Sequence, residues 1–246
     1  MNVEKLLTEI IEKDGVAHLT LIDPDSQTAE RSAEIAADAT VGGTDAIMIG
    51  GSVGAGGSQL DQAVLAIKER TDLPTILFPS GVSGLSKHAD AVFFMSLLNS
   101  RNVMYITTHQ ALGAPIIKRY GLEPIPMAYL LVFPGGTAAW IGDAKLIPRE
   151  KPELAVAYAL AAKYLGMRWI YLEAGSGVEK PVPTSLIKSV KEAIGDTKVI
   201  VGGGIKDSVT ARKCAESGAD AIVTGTVVEE GNVQPKIKEI VRAVKK

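Results

Sequence analysis

Cysteine occurs once in this chain of 246 residues, at Cys214, so a disulfide framework is excluded and a reducing compartment fits. Charge of one predominant sign is also missing. The 26 lysines and arginines stand against 28 aspartates and glutamates with no long block of either, which argues against nucleic-acid binding through a broad basic face. No stretch approaches the roughly 20 apolar residues of a membrane span. The opening stretch, MNVEKLLTEIIEKDG, reads as an amphipathic helix whose charges interrupt any signal-peptide core. A soluble, cytoplasmic protein is expected. The chain also lacks a G-x-x-x-x-G-K-[ST] loop and a convincing dinucleotide fingerprint, so ATP and NAD chemistry lose support. His88 and His109 share no metal-ligand spacing with each other or with Cys214, and no zinc site is expected.

What is present suits one large core. With 46% hydrophobic residues, no linker, and about the length of a (β/α)8 barrel, residues 1–246 read as a single domain. Strand candidates fall at 16–22, 46–49, 74–78, 91–95, 125–133, 169–172, 199–201 and 221–223, alternating with helical patterns at 27–37, 59–70, 108–120, 152–165, 184–194, 207–218 and 235–244. Only about a dozen residues separate the third and fourth strands, too few for an ordinary crossover helix. The expected fold is therefore α/β, a single TIM barrel with the helix after the third strand missing or replaced by a loop. A doubly wound open sheet is the alternative. In the helix of residues 207–218, Val209, Ala211, Cys214, Ala215 and Gly218 form the expected core face.

In a barrel the chemistry collects at the C-terminal ends of the strands. Those ends carry Asp23 and Asp25, Gly51 and Ser52, Ser80, Ser96 and Asn99, Glu173 and Ser176, the triple glycine 202–204, and 224–226 (Thr-Gly-Thr). Two adjacent strands that both end in glycine turns suit a phosphate cup built from backbone N–H groups, although glycines there could also serve tight turns alone. Asp23, on a rigid turn before a proline, suits Mg2+ with a hydroxyl such as Ser52, while Asp25 reads as a cap of the following helix. Glu173 is either a general base or a structural partner of Arg168 or Lys206. His18, inside the first strand, reads as a hydrogen-bonded core histidine. Aromatic residues make up only 5% of the chain, yet they concentrate in strands four and five with their loops, from Phe93, Phe94 and Tyr105 to Tyr129 and Phe133. With one helix missing, that side leaves room for a groove for a long apolar ligand. Trp140, in the long loop of residues 134–151, is expected near an interface of a homo-oligomer, a dimer or a dimer-based hexamer.

LIDPD at 21–25, GGS at 50–52, YLEAGSG at 171–177, VGGGI at 201–205 and TGT at 224–226 together resemble the geranylgeranylglyceryl phosphate synthase family, archaeal prenyltransferases with heptaprenylglyceryl phosphate synthases as bacterial relatives. The resemblance spans nearly the whole chain. It implies transfer of a prenyl group from geranylgeranyl diphosphate to the 3-hydroxyl of sn-glycerol 1-phosphate, the first ether bond of archaeal lipids. By motif, Asp23 and Ser52 would hold Mg2+ against the diphosphate. Tyr171, Glu173, Gly175, Ser176, Gly177, Gly202, Gly203, Thr224, Gly225 and Thr226 would line the glycerol phosphate site, with Glu173 and Asp23 catalytic. Bacterial relatives often carry a lysine where this chain has Leu21, so the archaeal type is the better match. Lipidic substrates also imply a transient membrane contact. An isomerase or lyase acting on a small sugar or amino-acid phosphate is the competing reading, since it needs the same cup but no groove.

Overall fold

The eight strand segments are short and almost continuously apolar, as strands are when both faces of a parallel sheet are covered. In a computed structural model, which describes residues 2–54, 56–229 and 231–246, they close into one parallel barrel in sequence order, β1 pairing with β8. The strands are β1 Ala17–Ile22, β2 Ala46–Ile49, β3 Thr75–Leu77, β4 Ala91–Leu97, β5 Glu123–Leu131, β6 Trp169–Glu173, β7 Lys198–Gly202 and β8 Ala221–Thr224. The helices are α1 Val3–Asp14, α2 Ala29–Gly42, α3 Gly57–Lys68, α4 His109–Tyr120, α5 Gly136–Ile141, α6 Pro152–Tyr164, α7 Thr184–Ile194, α8 Ser208–Glu216, α9 Thr226–Glu229 and α10 Val233–Val244.

Alternation along the strands splits the core in two. Leu19, Met48, Ile76, Phe93, Met127, Tyr129, Trp169, Tyr171 and Val223 fill the interior, where Val3, Leu7 and Ile11 of α1 join them. Ile22, Ile47, Leu77, Val92, Leu130, Leu172, Val201 and Ile222 face the helices. Helix α1 thus stoppers the N-terminal end of the barrel. Glu123 at the start of β5 accepts from the backbone N–H of Val3 and Glu4, groups a helix cannot satisfy itself, and Glu4 in turn holds Arg168 and the Trp169 indole N–H. The other end is left free for chemistry.

The link from β3 to β4 contains only a 3-10 turn, Val82–Gly84, so the expected missing helix is indeed missing. Before α4 the chain makes a wide π-turn, Met104–Thr108, that residue periodicity did not announce. Two expectations need correction. Thr28, not Asp25, caps α2, its hydroxyl accepting from Arg31 N, because the turn after β1 runs three residues further than its acidic residues suggest. In α8, Ala211 and Cys214 are buried but Val209 is 60% exposed, since the helix starts at Ser208 under its Asp207 cap and puts Val209 on the outer face. Burial pushes the Cys214 thiol up to about 11, leaving it an inert packing group. Among the described residues, no helix is long and apolar enough to cross a membrane.

Candidate active site

Two carboxylates stand at the open end, and a glycine makes room for each. Asp23 follows the last residue of β1, and its carboxylate occupies the space a side chain on Gly51 would need. It accepts from Asp25 N at 3.0 Å. Burial raises its pKa above the ordinary carboxylate range, against the opposing pull of that hydrogen bond, and Asp25 adds a like charge. Among the described residues no lysine or arginine pairs with it. Glu173 ends β6 and is 7% exposed. One of its carboxylate oxygens accepts from Gly175 N at 2.5 Å and lies where a Cβ on Gly203 would fall; Gly203 itself has φ +79°, which a side chain would strain. The Tyr171 hydroxyl donates to the same carboxylate. Burial nevertheless wins and raises the Glu173 pKa, while these two hydrogen bonds only moderate the rise. The phenols of Tyr129 and Tyr171 rise well above their ordinary value, through burial first and the nearby Glu173 charge second.

Asp23, Ser52, Glu173, Ser176 and Gly225 line one cavity of about 380 Å3. From this polar end it runs beneath the 3-10 turn and α4, past Phe94, Tyr105, Leu85 and Gly113 to Ile117 and Ile141. A 3-10 turn stands where a helix would follow β3, and this turn and α4 both line the groove. Phe78, Tyr129 and Tyr171 cluster at the junction of the two ends, with ring centroids 5.3–5.5 Å apart. His109 and Gln110 line the groove and carry a buried Nδ1 and a buried Oε1 without hydrogen-bond partners, so the apolar channel has one polar spot. A smaller recess of about 40 Å3 adjoins Glu173 and is lined by Tyr171, Ser176, Gly177, Gly203, Gly204, Lys206, Gly225 and Thr226. Thr226 Oγ1 lies 3.3 Å from Ser176 Oγ and accepts from Gly177 N, which ties the β6 turn to the β8 turn across the recess. Main-chain walls, two hydroxyls and one lysine give this recess the kinds of donor that bind an anion.

The sequence profile of the PcrB family matches residues 8–244. A geranylgeranylglyceryl phosphate synthase of Methanosarcina mazei is 62% identical over 247 residues, covering 100% of both chains, and one of Thermococcus kodakarensis is 54% identical, covering 99% of this chain and 97% of its own. The chain belongs to the geranylgeranylglyceryl phosphate synthase family. The solved (S)-3-O-geranylgeranylglyceryl phosphate synthase of Thermoplasma acidophilum, in complex with its substrate sn-glycerol-1-phosphate, superimposes with a TM-score of 0.96 at 43% identity, over 100% of this chain and 99% of that one. Outside the family, thiamine phosphate pyrophosphorylase of Pyrococcus furiosus shares the barrel alone, at 15% identity and a TM-score of 0.60 over 94% and 96% of the two chains.

Not every residue of the family motifs reaches the site with its side chain. Gly202 gives space to the Tyr171 hydroxyl and accepts from Ala174 N. Gly175, at φ +111°, packs on the backbone of Gly135 and Gly136 and donates to Glu173. The side chain of Thr224 points out of the barrel, where its hydroxyl lies 3.1 Å from His18 Nε2. His18 is fully buried, with Nδ1 2.9 Å from Thr44 Oγ1, and burial lowers its pKa to about 3, so it is a neutral core histidine. The Arg168 alternative for Glu173 is excluded, because Arg168 sits at the opposite end on Glu4. Lys206 lines the recess instead of pairing with Glu173. Gly204 lines the recess as the triple glycine led one to expect, whereas Phe78, His109 and Gln110 are lining residues that periodicity alone did not single out; Phe78 was legible as the last residue before a strand-end Pro-Ser-Gly turn.

Proposed function

We propose that this chain transfers the geranylgeranyl group of geranylgeranyl diphosphate to the 3-hydroxyl of sn-glycerol 1-phosphate, releasing diphosphate. The observation that carries this reading is a buried carboxylate, Glu173, shared by a small polar recess on one side and a long, mostly apolar groove on the other. An isomerase or lyase of small phosphates would have no use for the groove.

The recess takes the acceptor's phosphate on main-chain N–H groups, Ser176, Thr226 and Lys206. The acceptor hydroxyl then lies towards Glu173. As the C1–O bond to diphosphate breaks and the C1–O3 ether bond forms, Glu173 accepts the hydroxyl proton. Its hydrogen bonds from Tyr171 and Gly175 fix the carboxylate in place. The apolar groove excludes water from the allylic carbon, which would otherwise be hydrolysed.

Asp23 and Ser52 would hold Mg2+. The fit is chemical: a half-buried carboxylate without a cationic neighbour, beside a hydroxyl, and among the described residues no group of three His, Cys, Asp or Glu that would cage an ion without substrate oxygens. When bound, Mg2+ offsets the charge of the departing diphosphate. Trp140, 85% exposed beside the groove residue Ile141, is the proposed contact of a homo-oligomer, and the lone inert thiol suits the cytoplasm.

The test is product analysis by mass spectrometry after incubating the purified chain with Mg2+, sn-glycerol 1-phosphate and farnesyl, geranylgeranyl or heptaprenyl diphosphate. Geranylgeranylglyceryl phosphate from the geranylgeranyl donor is expected as the main product, and no such product from that donor would overturn the assignment.

A further inference from the structure

The helix that walls the groove has an outer face unlike that of a helix exposed to water. From residue 102 to residue 117 the chain contains no Asp, Glu, Lys or Arg. Its inner side is used by the groove, where His109, Gln110, Gly113 and Ile117 line the cavity. Its outer side presents Leu112, 57% exposed, with Ala111, Ala114 and Pro115 around it, and Val103 is 60% exposed just upstream. The other long helices of this barrel carry charge on that side; α1, for instance, shows Lys5, Glu9 and Glu12, and the short α5, also uncharged, exposes Trp140, the subunit contact proposed above. Charge returns only in the last turn of α4, with Lys118 and Arg119. Both are exposed, among the described residues neither pairs with a carboxylate, and the Arg119 guanidinium lies 5.8 Å from the Tyr120 ring centroid.

An apolar face ending in unneutralised cations beside an aromatic ring is the composition of a helix that lies in the interface of a negatively charged bilayer. Helix α6 also exposes apolar residues, Leu154 among them, but none of its residues lines the cavity. At α4, one turn of helix separates the outer surface from the groove, with Gly113 next to Leu112 leaving the inner side open. We propose that α4 is the surface by which this protein rests on an anionic lipid bilayer, so that a prenyl diphosphate passes from the lipid into the groove immediately behind the helix. The proposal rests on the prenyl-transfer reading above. Two cations and a few small apolar side chains give a weak, reversible contact, which suits repeated loading.

Vesicle flotation tests it. The wild-type chain should float with phosphatidylcholine–phosphatidylglycerol vesicles, much less with phosphatidylcholine alone, and less at high salt. Lys118→Glu/Arg119→Glu should weaken that binding by at least roughly thirtyfold, the loss expected from two basic residues at an anionic surface, and Leu112→Asp should weaken it as well. Both variants should keep wild-type transfer from geranyl diphosphate, which is short and water-soluble, while losing rate with geranylgeranyl diphosphate embedded in the vesicles. Wild-type protein that ignores the anionic vesicles, or variants that bind them as well as wild type, would overturn the proposal. So would variants that sediment as a smaller species, since a second copy would then cover α4. If instead wild type binds the vesicles but transfers nothing from soluble donors, the prenyl-transfer reading fails and the docking surface stands.

Discussion

Glu173 carries two demands in conflict, a buried position and a negative charge, and their conflict is measurable. Glu173→Gln keeps the shape and the Gly175 hydrogen bond but removes the base, so kcat is expected to fall on the order of 10²–10⁴-fold in a product assay. In the wild type, the rate should decline as pH drops through the raised Glu173 pKa, because the protonated acid cannot take the hydroxyl proton. Stability moves the other way. The carboxyl titrates higher folded than unfolded, so between the two values the folded state holds the extra proton, and stability falls as pH rises through that window. Thermal melts should therefore show Glu173→Gln above wild type near neutral pH, with the advantage gone in acid below the unfolded carboxyl range. A second residue-scale expectation concerns Gly203. An alanine there has to adopt φ +79° at about 1–2 kcal/mol and displaces the Glu173 oxygen, so Gly203→Ala should lower both Tm and kcat, whereas a mere turn role would lower Tm alone. The sequence made Glu173 visible as a lone acid between an apolar strand and a glycine turn. It left open what the acid touches, and only packing settled that: Arg168, five residues earlier on the same strand and its approach, lies at the far end of the barrel because each residue of a strand advances about 3.3 Å.

At the scale of elements, turns and caps decide where side chains arrive. The α8 cap is the simplest case: Asp207 accepts from Thr210 N at 2.7 Å, and this hydrogen bond holds its pKa below the usual range even though burial pulls the other way. Asp207→Ala should cost about 1 kcal/mol in urea unfolding at neutral pH. The difference should vanish as pH falls through the lowered Asp207 value, since a depressed carboxyl contributes stability only while it is ionised. The missing helix after β3 has the larger consequence. With only a 3-10 turn there, α4 forms one wall of the groove and Gly113 sets its width, as a Cβ at that position already meets Leu85 at 3.7 Å. Gly113→Phe should therefore shift donor preference from geranylgeranyl towards farnesyl diphosphate in competition assays, with the Km for glycerol phosphate unchanged. The missing helix was readable from a count of residues between two strands. The π-turn ahead of α4 was not, because its residues carry ordinary helical patterning.

For the whole molecule, closure of the sheet brings β1, β6, β7 and β8 to one rim, and this alone places Asp23 from the start of the chain in a cavity with Glu173 and Gly225. The apolar residues outside the rim invite contacts of their own. Trp140→Asp is expected to lower the sedimentation coefficient while leaving transfer in the dilute enzyme near wild type; an unchanged coefficient would remove Trp140 from any subunit contact. The α4 face has a separate partner and a separate test, so the two surfaces can be distinguished by mutating one at a time.

The sequence by itself determined the barrel, the rim residues and the chemistry class. Apolar strand segments, glycine turns at their C-terminal ends and a short β3–β4 link are local signals, set by what a few neighbouring residues can do. Tertiary structure decided which of those residues present side chains. Gly51 and Gly203 look like turn glycines until the fold puts a carboxylate against each; Thr224 looks like a phosphate ligand until strand alternation turns it towards His18. It also decided that Glu173 is buried without a cation and that the groove behind α4 joins it. These depend on which strands meet across the closed barrel, a long-range outcome of packing that no local pattern in the chain records.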